Sequence, residues 1–240
     1  MSGAPTGAGR LALVTGASSG IGAATALALA AAGWSLVLHG RDPERTEQRR
    51  LDAAAKLAPG ADVEVCLADL GDDDGIARLA RAVAERPLQA LVHAAGMVQL
   101  GSLADTPVEV LDDHLRLNLR APYALTRELL PALRAGEGHV VFVNSTAGKR
   151  ANPDWAAYAA SKFALVALAD ALRQEEPALR VTSVFPGRTA TPMQSAVHAF
   201  EGADYDPDTL VKPEAIGAQI AALLDLPRPS LVSDISVAPG

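Results

Sequence analysis

Several things are scarce in this chain, and each scarcity excludes something. There is one cysteine, Cys66. It cannot form an intramolecular disulfide, and a reducing cytoplasm is the expected setting. Cys66 stands inside the strand-like run Val63-Glu64-Val65-Cys66-Leu67, so it reads as packing rather than as a nucleophile. Aromatic residues make up 4% of the sequence, which leaves no obvious platform for a large planar ligand. No uninterrupted apolar run reaches the roughly 20 residues a bilayer helix needs, so no membrane span is expected. Positive charge is outweighed, with a net charge of −7 and no basic stripe. That argues against a nucleic-acid binder, though a local positive pocket for a small anion remains open. No metal site is read from the sequence. The Gly-, Ala- and Pro-rich segment 1–9 lacks a charged start followed by an apolar core. It reads as a flexible tail and not as a signal peptide.

What is present is regular alternation. Hydrophobic content is 49% and charged content 20%, ordinary for a globular domain with a sizeable core. Strand-like runs are expected at 11–15, 35–39, 63–67, 88–93, 139–144, 179–185 and 234–237. Helices are expected between them, at 20–32, 42–57, 73–85, 106–134, 155–175 and 213–224. Gly33 reads as a left-handed cap, Asp42-Pro43 as N-cap and first helical residue, and Thr106-Pro107-Val108-Glu109 as a capping box. Residues 187–212 read as irregular. The whole implies one α/β domain over 10–240, with a doubly wound parallel sheet of about seven strands and helices on both faces. Ligands of such sheets sit at the carboxyl ends of the strands. Gly16, Gly96, Ser145 and Pro186 all fall just after strands.

The first such turn is Thr15-Gly16-Ala17-Ser18-Ser19-Gly20-Ile21-Gly22. Glycines there allow a tight turn and close approach of backbone to a pyrophosphate, and the following helix start offers N–H groups. The second strand ends His39-Gly40-Arg41-Asp42. An acidic side chain at the Gly40 position would favour NAD by binding ribose hydroxyls. Arg41 instead suits a 2′-phosphate and favours NADP over NAD, unless it is simply a solvated loop residue. Asp42 is read as a helix cap. Asp69, followed by Leu70, is either an adenine contact or a turn residue. The small residues Ala94, Ala95 and Gly96 allow a cofactor to pass close by, or pack the strand tightly against its loop.

The chemistry-bearing residues follow. Tyr158 and Lys162 are one helical turn apart on one face. The ammonium is expected to lower the phenol from its ordinary value of about 10, making it a general acid or base. Ser145 adds a hydroxyl that can hold a carbonyl oxygen. Asn118 precedes Pro122 by four residues, and proline has no N–H to bond the Asn118 carbonyl. The helix is therefore expected to kink, either freeing that carbonyl for a water linked to Lys162 or as a purely structural bend with Asn118 incidental.

Taken together these motifs resemble the short-chain dehydrogenase/reductase family, in its short, non-extended branch, from Leu11 to Val237. Thr15–Gly22 matches the family's TGxxxGxG loop. Asn118, Ser145, Tyr158 and Lys162 match its catalytic tetrad, and Pro186-Gly187-Arg188-Thr189-Ala190-Thr191 its nicotinamide segment. His93-Ala94-Ala95-Gly96 stands where the family usually has Asn-Asn-Ala-Gly, and Thr189 replaces an aliphatic residue. The resemblance implies hydride transfer between a nicotinamide and a ketone, aldehyde or secondary alcohol. It implies nucleotide contacts from Gly16, Ser18, Ser19, Ile21, Gly22, Arg41, Asp69, Leu70, Ala94, Ala95, Gly96, Tyr158, Lys162, Pro186, Gly187, Thr189 and Thr191. It also implies a homo-oligomer, a dimer or more readily a tetramer, built on the alanine-rich Tyr158 helix and the long helix before it. Residues 188–212 are the expected substrate cover, with Met193, Trp155 and Val98 joining Ser145 and Tyr158 as substrate contacts. Lys149 and Arg150 read as solvated loop residues more readily than as partners for an acidic substrate. The rival readings are a non-catalytic NADP(H)-binding redox sensor and a lyase or dehalogenase on the same scaffold.

Overall fold

The alternation of apolar strand and amphipathic helix produces the expected sheet. A computed structural model describes residues 9–240, so the expected tail at 1–9 lies almost wholly outside the described residues. The strands are β1 (Leu11–Thr15), β2 (Ser35–Gly40), β3 (Val63–Leu67), β4 (Ala90–His93), β5 (His139–Val143), β6 (Arg180–Pro186) and β7 (Asp234–Val237). They pair in the order β3-β2-β1-β4-β5-β6-β7, every neighbour parallel. The helices are α1 (Gly20–Ala31), α2 (Pro43–Ala54), α3 (Asp73–Arg81), α4 (Val108–Leu115), α5 (Ala121–Ala135), α6 (Ala156–Glu175), α7 (Pro192–Glu201) and α8 (Pro213–Leu224). Among the described residues no helix is long and apolar enough to cross a membrane.

Period-two alternation along β1 splits the core in two. Leu11 and Leu13 face one cluster, with Leu79 of α3, Leu125 and Leu129 of α5, and Leu165 of α6. Ala12 and Val14 face the other, with Leu29 of α1, Ala53 of α2, and Ile216 and Ile220 of α8. Both faces are thus dry, and each fully buried leucine or phenylalanine contributes about 1.5–3 kcal/mol. With helices covering both faces, the crevice expected to take a ligand is at the carboxyl edge, where β1 and β4 part company in sequence order.

Local chemistry sets the ends. Gly33 follows α1 at φ 79°, a left-handed cap. The Asp42 carboxylate accepts from the Arg45 N–H at 3.0 Å and Pro43 opens α2, as the sequence implies. The expected capping box does not form: the Thr106 hydroxyl donates back to the Ser102 carbonyl at 2.6 Å, and Pro107 takes the N-cap position. The long helix expected over 106–134 is broken by a π turn at Arg116–Arg120, where the Ala121 N–H reaches back to the Arg116 carbonyl. Pro122 supplies no N–H, so the ladder widens by one residue just before it. Within the stretch expected to be irregular, α7 forms. Thr191 caps it by accepting from the Gln194 N–H at 3.2 Å, Pro192 starts it, and Gly202 ends it at φ 65°.

Candidate active site

One cavity of about 530 Å³ opens at this carboxyl edge. It gathers Gly16, Ser18, Ser19, Ile21, Gly22, Arg41, Leu70, Ala94, Ala95, Gly96, Val98, Ser145, Trp155, Tyr158, Lys162, Pro186, Gly187, Thr189, Thr191 and Met193, residues spread from β1 to α7. Asn118 and Asp69 do not line it. Asp69 is exposed, and its carboxylate accepts from the Gly71 N–H at 2.9 Å. Asn118 is buried, and its amide brackets Met97, accepting from the Met97 N–H at 2.9 Å and donating to the Met97 carbonyl at 3.0 Å. It also donates to the Ser161 hydroxyl at 3.0 Å.

The nucleotide half is shaped by backbone. Gly16 sits at φ 66°, and a Cβ there would stand 2.8 Å from the Ala95 backbone. A Cβ on Gly22 would stand 2.3 Å from the Gly16 carbonyl oxygen. Only hydrogen fits at either position, so the loop folds flat onto α1. Ser19 makes no side-chain cap, leaving the first N–H groups of α1 to face the cavity at the positive end of the helix. Arg41 is exposed at the rim and no ion pair holds it among the described residues. These features fit a dinucleotide: a cradle without Cβ atoms, free amides for a pyrophosphate, and an unengaged guanidinium for a further phosphate.

The chemical half differs from expectation in its electrostatics. Tyr158 is 7% exposed and Lys162 5%. Burial pushes the Tyr158 phenol up, while the neighbouring Ser145 hydroxyl pulls it down. The expected lowering by Lys162 is absent because the ammonium is 5.8 Å from the phenol ring centroid and donates instead to the Val143 carbonyl at 3.1 Å. Burial also lowers Lys162 to about 8. Desolvation outweighs pairing for both groups.

Sequence reasoning missed the supports. Asn144 accepts from the Ser145 N–H at 2.8 Å and donates to the Lys162 carbonyl at 3.1 Å, locking Ser145 to α6. His114 donates from Nδ1 to the Val110 carbonyl at 2.6 Å and accepts at Nε2 from the Gln99 N–H at 3.0 Å. Its ring meets Tyr158 edge-on at 6.0 Å, and Trp155 meets Tyr158 edge-on at 5.7 Å. His93, where the family usually has asparagine, stacks on Phe142 at 5.1 Å and bonds the Thr126 hydroxyl at 2.9 Å. Burial lowers it to about 3, so it is a neutral packing residue. Lys149 is an exposed loop residue outside the cavity, as expected, and it is anchored there by donating to the Ser236 hydroxyl at 2.9 Å and lying 3.9 Å over the Phe185 ring. Gln194 and Val197 of α7, both inside the expected cover at 188–212, also line the cavity, as does Asn152, which no sequence motif marks.

Comparison with known proteins agrees with the architecture. The family model for short chain dehydrogenase matches residues 10–202. The chain therefore belongs to the short-chain dehydrogenase/reductase family of oxidoreductases. It is 33% identical over 236 residues to an uncharacterized short-chain type dehydrogenase/reductase, y4eK, of Sinorhizobium fredii, covering 95% of this chain and 91% of that one. It is 38% identical over 193 residues to the glycine betaine reductase ATRR of Emericella nidulans, covering 76% of this chain and only 15% of that protein. Among solved structures, a metagenomic short-chain oxidoreductase in complex with NADP is 32% identical, with a TM-score of 0.80 and coverage of 97% and 98%.

Proposed function

We propose that this protein transfers a hydride between NADP(H) and a ketone, aldehyde or secondary alcohol, with Tyr158 as general acid and base. The observation that carries the reading is the meeting of Gly16, Ser18, Ser19, Gly22, Arg41, Ser145, Tyr158, Lys162, Pro186, Gly187, Thr189 and Thr191 around one cavity. The glycine loop and Gly96 would hold the pyrophosphate and its flanks, Arg41 the 2′-phosphate, and Leu70 the adenine side. Asp69 would offer the carboxylate oxygen that its turn contact with the Gly71 N–H leaves free. The Pro186–Thr191 segment would hold the carboxamide end. The nicotinamide, when bound, supplies and accepts the hydride.

The chain's own residues manage geometry and protons. Ser145, fixed by Asn144, offers its hydroxyl to the substrate oxygen and sets that oxygen beside Tyr158. The Tyr158 phenol, kept protonated by burial, gives its proton as the substrate oxygen gains charge in reduction, and takes one back in oxidation. Lys162, with a value lowered to about 8, is poised to restore that proton near neutral pH. The proposed relay from Lys162 to solvent runs past the main chain of Asn118, since the Asn118 side chain is engaged. Trp155, Val98 and Met193 give the substrate end an apolar lining.

Residues 188–212, with α7 inside them, form the proposed cover over the substrate. Tyr123 on α5 and Phe163 on α6 are exposed large side chains on the two helices proposed to build a homo-oligomer, most simply a tetramer. The lone cysteine supports a reducing, cytoplasmic setting. The test is a panel of carbonyls and alcohols followed at the nicotinamide absorbance with both NADP(H) and NAD(H). Turnover that prefers NADP(H) and collapses in Tyr158→Phe is expected. Tight nucleotide binding without turnover on any member of the panel would instead mark a redox sensor.

A further inference from the structure

His39, the penultimate residue of β2, is 3% exposed and joins the ends of three adjacent strands. Its Nδ1 lies 3.2 Å from the Gly16 N–H, after β1. Its Nε2 lies 3.0 Å from the Ala68 carbonyl, after β3. Its own carbonyl accepts from the Ala17 N–H at 2.8 Å. The partners dictate the tautomer. A backbone N–H can only donate and a carbonyl can only accept, so Nδ1 is bare and Nε2 carries the hydrogen.

We propose that His39 is the positioning residue of the nucleotide loop, and that the loop keeps its binding shape only while this imidazole is neutral. The proposal rests on the dinucleotide reading of the cavity. Gly16 has little freedom, with φ 66° and the Ala95 backbone against it, so the direction of its N–H is set by whatever accepts that hydrogen. The acceptor is the bare nitrogen of His39. Adding a proton to Nδ1 would set two N–H groups against each other, and the first glycine of the loop would have to turn.

The surroundings keep the ring in the required state. Burial is the largest influence and lowers its titration below the ordinary histidine value. Arg41 lowers it further, while the Ala68 hydrogen bond and Asp69 work the other way. Asp42 and Arg45 at the start of α2 line the same cavity with opposite charges, Cys66 of β3 pairs with His39, and the loop from Gly16 to Ser19 carries no titratable side chain. Arg41, read above as the phosphate grip, thus also disfavours a charged His39. The other buried histidines, His93, His114, His139 and His198, do not line the cavity, whereas His39 does.

The experiment measures the Kd of NADP and of NADPH by calorimetry and by fluorescence, from pH 5 to pH 8 or so, a span bracketing the ordinary histidine value of about 6.5. Wild type is compared with His39→Asn and His39→Gln. Asparagine places an acceptor near the Nδ1 position, while glutamine reaches toward Ala68 and leaves Gly16 without a partner. His39→Asn is expected within about threefold of wild type at neutral pH, and His39→Gln about tenfold weaker. Wild type is expected to lose affinity on acidification, with part of that loss missing in His39→Asn. The shared ligand cancels the titration of its own phosphate. Equal affinities for wild type and His39→Gln, or the same acid limb in wild type and His39→Asn, would overturn the proposal. Should His39→Gln not fold, nitrogen NMR of the wild-type imidazole decides: a hydrogen on Nε2 supports the proposal and one on Nδ1 ends it. A wild-type protein that binds neither NADP nor NAD at any pH would sink the dinucleotide reading, and the imidazole spectrum would still judge the loop.

Discussion

The Lys162 ammonium donates to the Val143 carbonyl at 3.1 Å and stands 5.8 Å from the centre of the Tyr158 ring, the partner one helical turn away. Spacing along α6 puts the two side chains on one face, but burial decides their electrostatics. A buried ammonium has lost water and gained one carbonyl, so its titration falls to about 8.

That cost gives the first prediction. A lysine lowered in the folded state destabilises the fold while it must be charged, below pH 8. The cost fades as pH rises from about 8 toward the unfolded value of about 10.5. Lys162→Met is therefore expected to stabilise the nucleotide-free protein by about 1–3 kcal/mol at neutral pH, while removing most turnover. The gain should shrink as pH climbs through that window. Chemical denaturation at pH 7 and at pH 10 measures it, and a destabilised Lys162→Met at pH 7 would refute the assignment.

Tyr158 carries the opposite sign. Its folded phenol is raised by burial, so its contribution to stability is in place below the ordinary value of about 10 and is lost as pH climbs through the higher folded value. Spectrophotometric titration of wild type minus Tyr158→Phe is expected to show a phenol ionising above about 10 in the free protein. Saturating oxidised NADP is expected to bring it down, because the positive charge of its nicotinamide ring favours the phenolate. A Tyr158 that ionises below that value without nucleotide would restore the simple lysine-pairing picture.

The contrast between these two residues shows what the sequence carried and what it did not. The two dry faces follow from continuous apolar runs such as Leu11–Thr15 and from helix-length gaps between strands, both legible in one dimension, whereas the order β3-β2-β1-β4-β5-β6-β7 emerges only in the fold. The strand-end part of the cavity lining, Gly16, Gly96, Ser145 and Pro186, was legible too, because ligands of a doubly wound sheet gather at the carboxyl ends of its strands. Burial of a particular hydroxyl or ammonium was not, since it depends on what packs over it from elements far away in sequence. His39, His114 and Asn144 escaped notice for the same reason: each acts through backbone atoms of distant segments. α7 was legible in principle. Thr191-Pro192 at its start and Gly202 at its end are cap signals, obscured by the expectation of an irregular cover.

Arg41 yields the coenzyme prediction. It is exposed, lines the cavity and has no acidic partner among the described residues, while the nearby Asp42 is occupied by the α2 N-terminus and by Arg45 at 3.4 Å. A charged hydrogen bond to phosphate is worth about 1.5–3 kcal/mol. Arg41→Ser should then raise the Kd for NADP by about 10–100-fold and leave that for NAD within about threefold. Parallel calorimetric titrations read the two values. Equal losses for both coenzymes would remove Arg41 from 2′-phosphate recognition.

The last prediction concerns His114, whose Nε2 accepts the Gln99 N–H at 3.0 Å while its ring meets Tyr158 edge-on at 6.0 Å. One turn further along, Asn118 brackets both main-chain atoms of Met97. Two side chains on one helical face therefore clamp the segment that brings Val98 to the substrate end of the cavity. His114→Phe keeps an aromatic edge against Tyr158 but leaves the Gln99 N–H without its acceptor, a loss of about 0.5–1.5 kcal/mol. His114→Gln can reach with an acceptor. The Gln99 amide is expected to exchange faster in the phenylalanine variant and near the wild-type rate in the glutamine variant. Carbonyl KM should rise several-fold in His114→Phe, about 3–10-fold for a bond of that size, with the NADP Kd unchanged. A rise in both constants together would mean a general loss of packing, and unaltered exchange at Gln99 would mean that the clamp does not depend on the imidazole.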